Sequence, residues 1–365
     1  MKVLLTATSS HPAYGGPAFS VTQLAAALGS RGVETGLWAA DRSAVDTELL
    51  AGDAPVRRMD GPLRGAIAAL SPDVIHDNGL WLPHNHRVAE LARESGLPRV
   101  VSTRGMLEPW AIRHKGWKKQ LAWRLYQRRD LGRAAALHAT ADPEAENLAA
   151  LGLSSPIRTI PNGVDLPNLA PRRAWAADEL KTAVFLGRLY PVKGLPMLIE
   201  AWARVRPSGW RLLIAGPDEA DHRRTVEAAV AAAGLGEVIA FIGPVAGEAK
   251  TALLRDADLF VLPSHSESFG VAVAEALAHA TPVLTTTAAP WPALEQRRCG
   301  WRAAPTADAI ARSLREATVH GHESLREMGL AGRAYVGETL GWDRVAGQFI
   351  SLYEDVASVG HRAAA

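Results

Sequence analysis

The chain has 365 residues, more than the size at which a single hydrophobic core usually stops growing, so its length favours two domains. Its 40 Lys and Arg residues nearly balance its 38 Asp and Glu residues, which argues against a protein built to bind nucleic acid. The single cysteine, Cys299, excludes an intramolecular disulfide and a cysteine-built metal site, and it fits a reducing compartment.

The N-terminal half alternates between predicted strands and predicted helices. Residues 2–7 form an apolar run typical of a buried strand, and residues 19–28 have helical apolar spacing. The opening run is too short for a signal peptide, and no apolar stretch of about 18 residues follows. We therefore expect a cytoplasmic protein, whose membrane contact would be peripheral and at the inner membrane surface. Further elements are predicted as strands at 33–39, 74–76 and 100–103 and as a helix at 88–94.

The C-terminal half repeats this alternation after a proline-rich break. We interpret residues 166–173 as a linker. The strands predicted beyond it are residues 183–186, 211–215, 238–242, 259–262 and 282–286, and the helices are residues 195–205, 225–233 and 271–278. Alternating strands and helices predict parallel sheets covered on both faces. The fold class is therefore α/β, with two Rossmann-like doubly wound domains at residues 1–166 and 167–340, facing across a cleft.

The most specific motif lies at residues 264–277, after one predicted strand and into the next helix. Backbone N–H groups near Phe269, Gly270 and Val271 would lie at the positive end of that helix, where a diphosphate binds well. Glu267 lies in the loop and Glu275 two turns into the helix, so the two carboxylates could bracket one ligand. The alternative is that Glu267 caps the helix and Glu275 is solvated.

A second motif follows the first strand of the C-terminal domain. Arg188 and Lys193 lie where ligands of open α/β sheets bind, and they can neutralise a diphosphate leaving group. Each alone would more often be a surface cation. Together with Glu267 and Glu275, they favour a ligand site.

These motifs, taken with others in the same order, resemble the family 4 retaining glycosyltransferases of the GT-B fold. The resemblance extends through nearly the whole chain. The segments that carry it are residues 14–17, 160–165, 185–194, 215–218, 241–245 and 264–277.

The resemblance implies a role for each matching residue. Arg188 and Lys193 would bind the donor diphosphate, Glu267 the transferred sugar and Glu275 the ribose. The remaining donor-binding positions would be Gly15, Gly16, Gly216, Val245, Ser268, Phe269, Gly270 and Val271. Gly15 and Gly16 would close over the diphosphate, although a simple tight turn remains an alternative. Residues 341–365 would form a C-terminal helix that crosses back to the N-terminal domain.

The sequence departs from the family pattern at the reaction centre. Many relatives have a histidine where this chain has Arg104, and the surrounding residues resemble a sub-branch common in polysaccharide and antigen biosynthesis. Arginine stays protonated and is a poor base. His76 and Asn78, at the end of a neighbouring strand, are further candidates for the acceptor or sugar side, with a structural histidine as the alternative at position 76. The proton acceptor stays open, and a donor phosphate oxygen can serve.

The predicted function is retaining transfer of a hexose from a nucleotide sugar, UDP- or GDP-linked, to an acceptor hydroxyl in glycan or glycoconjugate biosynthesis. No cofactor and no metal are expected, because Asp256 and Asp258 are interpreted as a turn into a strand. The alternatives are a nucleotide-sugar epimerase of the same fold and a non-catalytic nucleotide-sugar-binding subunit.

Residues 104–133, which we call the basic segment, form the predicted acceptor-side surface for a glycan, lipid-linked or small-molecule acceptor. We expect this surface to prefer an anionic acceptor, such as a lipid-linked phosphate sugar at the cytoplasmic membrane face. Trp117, Leu121 and Leu125 recur at helical spacing, and they either meet a membrane surface or pack on the domain core. Only Glu108 and Asp130 oppose its cations. The cations considered are Arg113, Lys115, Lys118, Lys119, Arg124, Arg128, Arg129 and Arg133.

Overall fold

The computed structural model describes residues 1–113, 116–169 and 180–364, apart from the side chains of residues 113, 116 and 359–364. The chain divides into two compact units, and it passes between them twice. Unit 1 comprises Met1–Gly163 and Trp342–Ala365, and unit 2 comprises Val164–Gly341. The predicted linker lies only partly within the described residues, because residues 170–173 fall outside them.

Unit 1 is built on a seven-stranded parallel sheet. Its strands are β1 (Lys2–Ala7), β2 (Glu34–Ala39), β3 (Val56–Met59), β4 (Val74–Asn78), β5 (Arg99–Ser102), β6 (Ala136–Ala139) and β7 (Ile157–Thr159). The helices between them are α1 (Gly16–Ser30), α2 (Leu63–Leu70), α3 (Pro83–Glu94), α4 (Pro109–Arg113), α5 (Gly116–Ala122), α6 (Arg128–Gly132) and α7 (Asp142–Ala149). The spatial order is β3-β2-β1-β4-β5-β6-β7.

The pleat of β1 divides the unit 1 core between the two faces of the sheet. Leu5 belongs to a buried cluster with Leu24 of α1 and Phe349 of the C-terminal helix, whereas Leu4 belongs to another cluster with Leu70 of α2. Alternate side chains of a strand point to opposite faces, so β1 is buried on both. The C-terminal helix, Trp342–Ala364, packs on α1 and β4 and covers one face of this sheet.

Unit 2 is built on a six-stranded parallel sheet. Its strands are β8 (Lys181–Leu186), β9 (Trp210–Ala215), β10 (Ile239–Gly243), β11 (Leu259–Leu262), β12 (Val283–Thr286) and β13 (Gly300–Ala303). Its helices are α8 (Leu195–Val205), α9 (His222–Ala232), α10 (Gly247–Asp256), α11 (Val271–Ala278), α12 (Ala293–Gln296), α13 (Ala307–Thr318) and α14 (His322–Leu340), and Trp342–Ala364 is α15. The prediction of two doubly wound α/β halves is confirmed.

The strand order of unit 2, β10-β9-β8-β11-β12-β13, determines where its ligand site can form. The order reverses between β8 and β11, which pair directly through Ala183 with Leu259 and Val184 with Phe260. Ligands of doubly wound sheets bind beyond the carboxyl ends of the strands at such a reversal. The loops after Leu186 and after Leu262 therefore define the candidate site in this unit.

Candidate active site

A glycine allows the loop after β8 to lie against the loop after β11. Lys193 ends a short 3₁₀ turn, and Gly194 follows it with φ +68° before α8 begins. A Cβ atom at position 194 would lie 2.2 Å from the Pro263 carbonyl oxygen, so only glycine fits. The His265 N–H donates to the Val192 carbonyl at 2.7 Å. This contact brings the Lys193 and Glu267 segments together.

Lys193 and Glu267 form an ion pair, with 2.5 Å between Nζ and Oε1, and both side chains are largely buried. The Ser264 hydroxyl donates to the same carboxylate oxygen at 2.6 Å. Thr286 Oγ1 in turn donates to the Ser264 carbonyl at 2.5 Å. Side chains held from three strand ends change position little, so the lysine charge is preorganised for an incoming anion.

Glu275 forms a second ion pair, with Lys250 of α10, at 2.6 Å between Nζ and Oε1. The Asp165 carboxyl lies close enough to this ion pair for the pair to influence its pKa. Burial, and then the Glu275 carboxylate, raise the pKa of Asp165 above its ordinary value, against the opposing effect of Lys250. Together these residues form a charged group whose carboxylates can accept hydrogen bonds from hydroxyl groups.

Arg188 is half exposed and pairs with Glu219. It follows Gly187, whose carbonyl oxygen would lie 1.9 Å from a Cβ atom at position 216. Gly216 has φ +140°, a region that only glycine adopts readily. The loops after β8 and β9 therefore approach each other closely at the Arg188 side of the site.

Helix α11 begins directly after Gly270, which has φ +81°. The Trp291 indole N–H donates to the Phe269 carbonyl at 2.5 Å, and the two rings pack at 5.4 Å between centroids. This packing holds the turn formed by Ser268, Phe269, Gly270 and Val271. The positive end of the α11 dipole thus lies at the carboxyl ends of β8 and β11.

Val245 follows β10 and is partly buried, and α10 with Lys250 begins two residues later. The predicted nucleoside-side position thus adjoins the helix that holds the Glu275 pair. Neither Lys250 nor Glu219 stands out in the sequence, because an isolated charged residue in a polar segment resembles a solvated one.

The Asp256 and Asp258 side chains are used within unit 2. Asp256 pairs with Arg255, whereas the buried Asp258 accepts from the Thr182 N–H at 2.8 Å and contacts His322 Nδ1 at 2.9 Å. In the described part of the chain, no group of three or more His, Cys, Asp or Glu side chains could hold a metal ion.

We expect chelation with EDTA to leave the activity of the protein within about twofold of its starting value. Arg188, Lys193 and the α11 dipole are the predicted sources of positive charge for a diphosphate, so a metal ion is not needed for that purpose. The measurement is donor turnover before and after dialysis against EDTA, with Mg²⁺ and Mn²⁺ added back. Loss of activity that either ion restores would contradict this expectation.

The glycines at the start of unit 1 face open space. Gly15 has φ +77° and precedes α1, which begins at Gly16. A Cβ atom at either position would have no other heavy atom within 4 Å. Backbone conformation therefore favours glycine at position 15, whereas an added side-chain atom at position 16 would meet no steric obstacle.

His76 lies in a buried chain of hydrogen bonds rather than at a surface. Its Nδ1 contacts the Tyr353 hydroxyl at 2.6 Å, and its Nε2 contacts Ser102 Oγ at 2.6 Å. Ser102 Oγ contacts His138 Nδ1 at 2.6 Å, and His138 Nε2 contacts the Ile160 carbonyl at 2.8 Å. Because both nitrogens of His76 are occupied, the structure favours the structural alternative for this residue over contact with a sugar.

The hydrogen bonds from Tyr353 to Ile160 allow only one assignment of donors and acceptors when both histidines are neutral. The carbonyl of Ile160 can only accept, so His138 donates to it and accepts from Ser102, His76 donates to Ser102, and Tyr353 donates to His76. Burial lowers the pKa of His138 to about 4 and also lowers the pKa of His76. Both rings are therefore neutral at physiological pH.

Asn78 and Arg104 are connected to this series of hydrogen bonds through the backbone of His76. The Asn78 amide donates to the His76 carbonyl at 3.1 Å, and its side-chain oxygen accepts from Arg104 Nη2 at 2.7 Å. Arg104 is partly buried and has φ +47°. The sequence-predicted cation is thus held at the carboxyl ends of β4 and β5.

Two family models match the chain along most of its length. The "Glycosyl transferase 4-like domain" matches residues 15–163, and "Glycosyl transferases group 1" matches residues 180–318. The chain is a family 4 glycosyltransferase.

Curated relatives of this glycosyltransferase cover most of its length. D-inositol 3-phosphate glycosyltransferase of Actinosynnema mirum is 28% identical, over 94% of this chain and 93% of that protein. GDP-mannose:cellobiosyl-diphosphopolyprenol alpha-mannosyltransferase of Xanthomonas oryzae is 28% identical, over 80% of this chain and 76% of that protein. These names favour glycosyl transfer over the epimerase and over the non-catalytic subunit.

Solved structures place the glycosyltransferase in the GT-B fold. Sucrose-phosphate synthase of Thermosynechococcus elongatus has a TM-score of 0.79 at 21% identity, over 98% of this chain and 100% of that one. Anabaena Alr3699/HepE, solved in complex with UDP and glucose, has a TM-score of 0.75 at 18% identity, over 97% and 100% of the two chains.

The apolar stripe of the basic segment lies on the surface of the glycosyltransferase. Trp117, Leu121 and Leu125 are 70%, 53% and 65% exposed. The alternative that these side chains pack on the domain core is therefore wrong. Lys115 lies outside the described residues. The cations exposed beside the stripe are Lys118, Arg124, Arg128, Arg129 and Arg133.

No described helix combines the length and the apolar composition needed to cross a bilayer.

Proposed function

We propose that this glycosyltransferase transfers a hexose, with retention, from a UDP- or GDP-linked sugar to an acceptor hydroxyl in glycan or lipid-linked glycoconjugate biosynthesis. The observation that carries the proposal is that two ion pairs, Lys193 with Glu267 and Lys250 with Glu275, are formed by segments that follow β8, β10 and β11 of the unit 2 sheet. Two cations and two carboxylates fit a ligand with both a diphosphate and sugar hydroxyls.

The proposed donor site addresses the charge that develops during the reaction. As the bond between the anomeric carbon and the phosphate oxygen breaks, negative charge grows on the diphosphate. In this proposal, Arg188, Lys193 and the positive end of the α11 dipole stabilise that charge. Lys193 has three N–H donors, so the contact with Glu267 leaves others for phosphate.

The acceptor hydroxyl must transfer its proton to a base when its oxygen bonds to the anomeric carbon. His76 and His138 are both used in the buried chain, and Arg104 is a cation. In a retaining reaction the acceptor approaches from the face that the leaving group vacates. We therefore assign the proton to a leaving phosphate oxygen, which requires neither a base from unit 1 nor a resident cofactor.

The relatives support the choice of donor. The Xanthomonas oryzae relative is named for GDP-mannose, and the Anabaena structure holds UDP and glucose. We infer that the nucleoside part of the donor lies against Val245, Lys250 and Glu275, and that Gly216 also lines this side of the donor site.

The proposal is tested by thermal shift with UDP, GDP, ADP and CMP, followed by the sugar nucleotides of whichever nucleotide binds. A ligand that binds only the native state raises the apparent melting temperature. We expect UDP or GDP to do so in the wild type and not in Glu275→Gln. Consumption of the matching nucleotide sugar without a partner protein then tests transfer. Stabilisation by none of these nucleotides would overturn the proposed donor.

We further propose that the basic segment docks on an anionic membrane surface, at the inner face of the cytoplasmic membrane. The exposed stripe of Trp117, Leu121 and Leu125 is flanked by cations, and Lys118 Nζ lies 5.4 Å from the Trp117 ring centroid. Apolar side chains beside lysine and arginine suit the boundary between headgroups and acyl chains.

Charge reversal at Lys118 and Arg124 is expected to weaken binding to anionic vesicles by at least roughly tenfold, because each basic residue near such a surface contributes about 1 kcal/mol. Both residues are exposed, whereas Lys119 donates to the Ala111 carbonyl and is less suitable. Cosedimentation with anionic and neutral liposomes measures the effect. Arg57→Glu/Arg64→Glu, an equal charge change on exposed residues of unit 1, is the matched control. Equal loss in both double variants, or no wild-type binding, would contradict docking.

A further inference from the structure

Arg104 is a cation held in place by neutral groups. It follows β5 with φ +47°, and Gly105 follows with φ +72°. A non-glycine residue rarely adopts this left-handed region, and such residues are concentrated at functional sites. The position lies at the carboxyl end of a parallel strand, where ligands of open α/β sheets bind.

The guanidinium group is oriented by two asparagines. Arg104 Nε and Nη2 donate to Asn78 Oδ1 at 3.2 and 2.7 Å, and Nη1 lies 3.4 Å from Asn162 Oδ1. Among the residues that the structure describes, these three contacts leave two of the five guanidinium N–H groups for a ligand. The Asn78 amide itself donates to the His76 carbonyl, and this hydrogen bond fixes the side-chain oxygen that orients the Arg104 guanidinium group.

Glu144, the carboxylate that acts electrostatically on Arg104, already accepts hydrogen bonds from other groups. Glu144 Oε1 accepts from Thr103 Oγ1 at 2.6 Å and from the Gly105 N–H at 2.5 Å. Its Oε2 accepts from the N–H and the hydroxyl of Thr140, both at 2.7 Å. Glu144 influences the titration of Arg104, but the two form no ion pair among the described residues.

Within residues 1–113, 116–169 and 180–364, the charge of Arg104 therefore persists without a carboxylate in an ion pair with it. Burial lowers the pKa of its guanidinium to about 10, which still leaves it protonated at neutral pH. The two histidines nearby are neutral and supply no competing charge. A partly desolvated cation with free N–H groups is stabilised by an anion that enters the site.

We propose that Arg104 binds a phosphate group of the acceptor, so that the acceptor substrate is a phosphate ester. Arg188 and Lys193, in unit 2, already supply cations for the donor diphosphate, which leaves Arg104 for the other substrate. The planar guanidinium fork suits two phosphate oxygens at once. The inference rests on the proposed function, which makes unit 1 the acceptor side.

The test uses glycerol 3-phosphate as a soluble probe and farnesyl phosphate in detergent as a lipid probe. Binding is measured by calorimetry with the donor site filled by UDP or GDP. Arg104→Gln is expected to weaken the preferred probe on the order of tenfold to a hundredfold. Arg104→Lys keeps the charge without the fork and is expected to fall between. Arg64→Gln, on an exposed surface, is the control.

The outcomes separate this inference from the proposed donor. Preference for farnesyl phosphate assigns a lipid-linked acceptor, and preference for glycerol 3-phosphate assigns a soluble one. If Arg104→Gln and Arg104→Lys remain folded and bind both probes as the wild type does, or if the wild type binds neither, the inference is overturned. It is also overturned if Arg104→Gln weakens the nucleotide and not the probes. Failure of the wild type to bind any nucleotide overturns the donor instead, while the effect of Arg104 on probe binding is still measured.

Discussion

Replacing Lys193 with alanine is expected to reduce transfer at sub-saturating donor by roughly tenfold to over a hundredfold, the equivalent of a lost charge-assisted hydrogen bond of about 1.5–3 kcal/mol. Two effects act in the same direction. The substitution removes a cation from the proposed diphosphate site, and it leaves the largely buried Glu267 carboxylate without its ion-pair partner. An unpaired carboxylate there would repel the donor phosphates.

Glu275→Ala is expected to have a loss of similar size for a different reason. It removes the proposed hydrogen-bond acceptor for the ribose hydroxyls, and it removes the ion pair between Glu275 and Lys250. Steady-state kcat/KM for the donor is the measurement for both variants, with circular dichroism to establish folding. The control is Arg204→Ala, which breaks exposed ion pairs with Glu200 of α8 and Asp308 of α13. Near-wild-type kcat/KM in folded Lys193→Ala or Glu275→Ala would refute the site.

Gly216→Ala is expected to lower the free energy of unfolding by roughly 2–5 kcal/mol, through backbone strain and overpacking together. The residue has φ +140°, and its added Cβ would lie 1.9 Å from the Gly187 carbonyl oxygen. That oxygen belongs to the backbone and cannot rotate away as a flexible side chain would. The loop before Arg188 must therefore move.

Denaturant unfolding at equilibrium measures this loss, and Gly236→Ala in the same unit is the matched control. A Cβ atom at position 236 would meet no other heavy atom within 4 Å, and this glycine has no positive φ. We expect the control to unfold close to wild type and Gly216→Ala to bind the donor more weakly even where it is folded. Equal unfolding midpoints for the two variants would show that the close approach does not constrain the loop.

The sequence by itself determined the two doubly wound α/β halves and the motifs at their strand ends. Strands such as β8 and β11 are short apolar runs bounded by turn residues, and helices such as α8 and α11 have continuous apolar spacing. Both signals are local, because the spacing of apolar residues within a segment reflects the period of that helix or strand. β13, with Gly300 at its start, was not predicted, since its extended form depends on pairing with β12.

Only the tertiary structure decided which side chains meet. The partners His76 and Tyr353, which lie on β4 and α15, are separated by 277 positions in the chain, and Lys250 and Glu275 lie on different helices. Local sequence also could not tell whether Trp117, Leu121 and Leu125 face the core or solvent, because helical periodicity defines a stripe but not what covers it. Pairings between distant segments, and the exposure of one face, depend on how the elements pack. The apolar pattern of each segment does not contain that information.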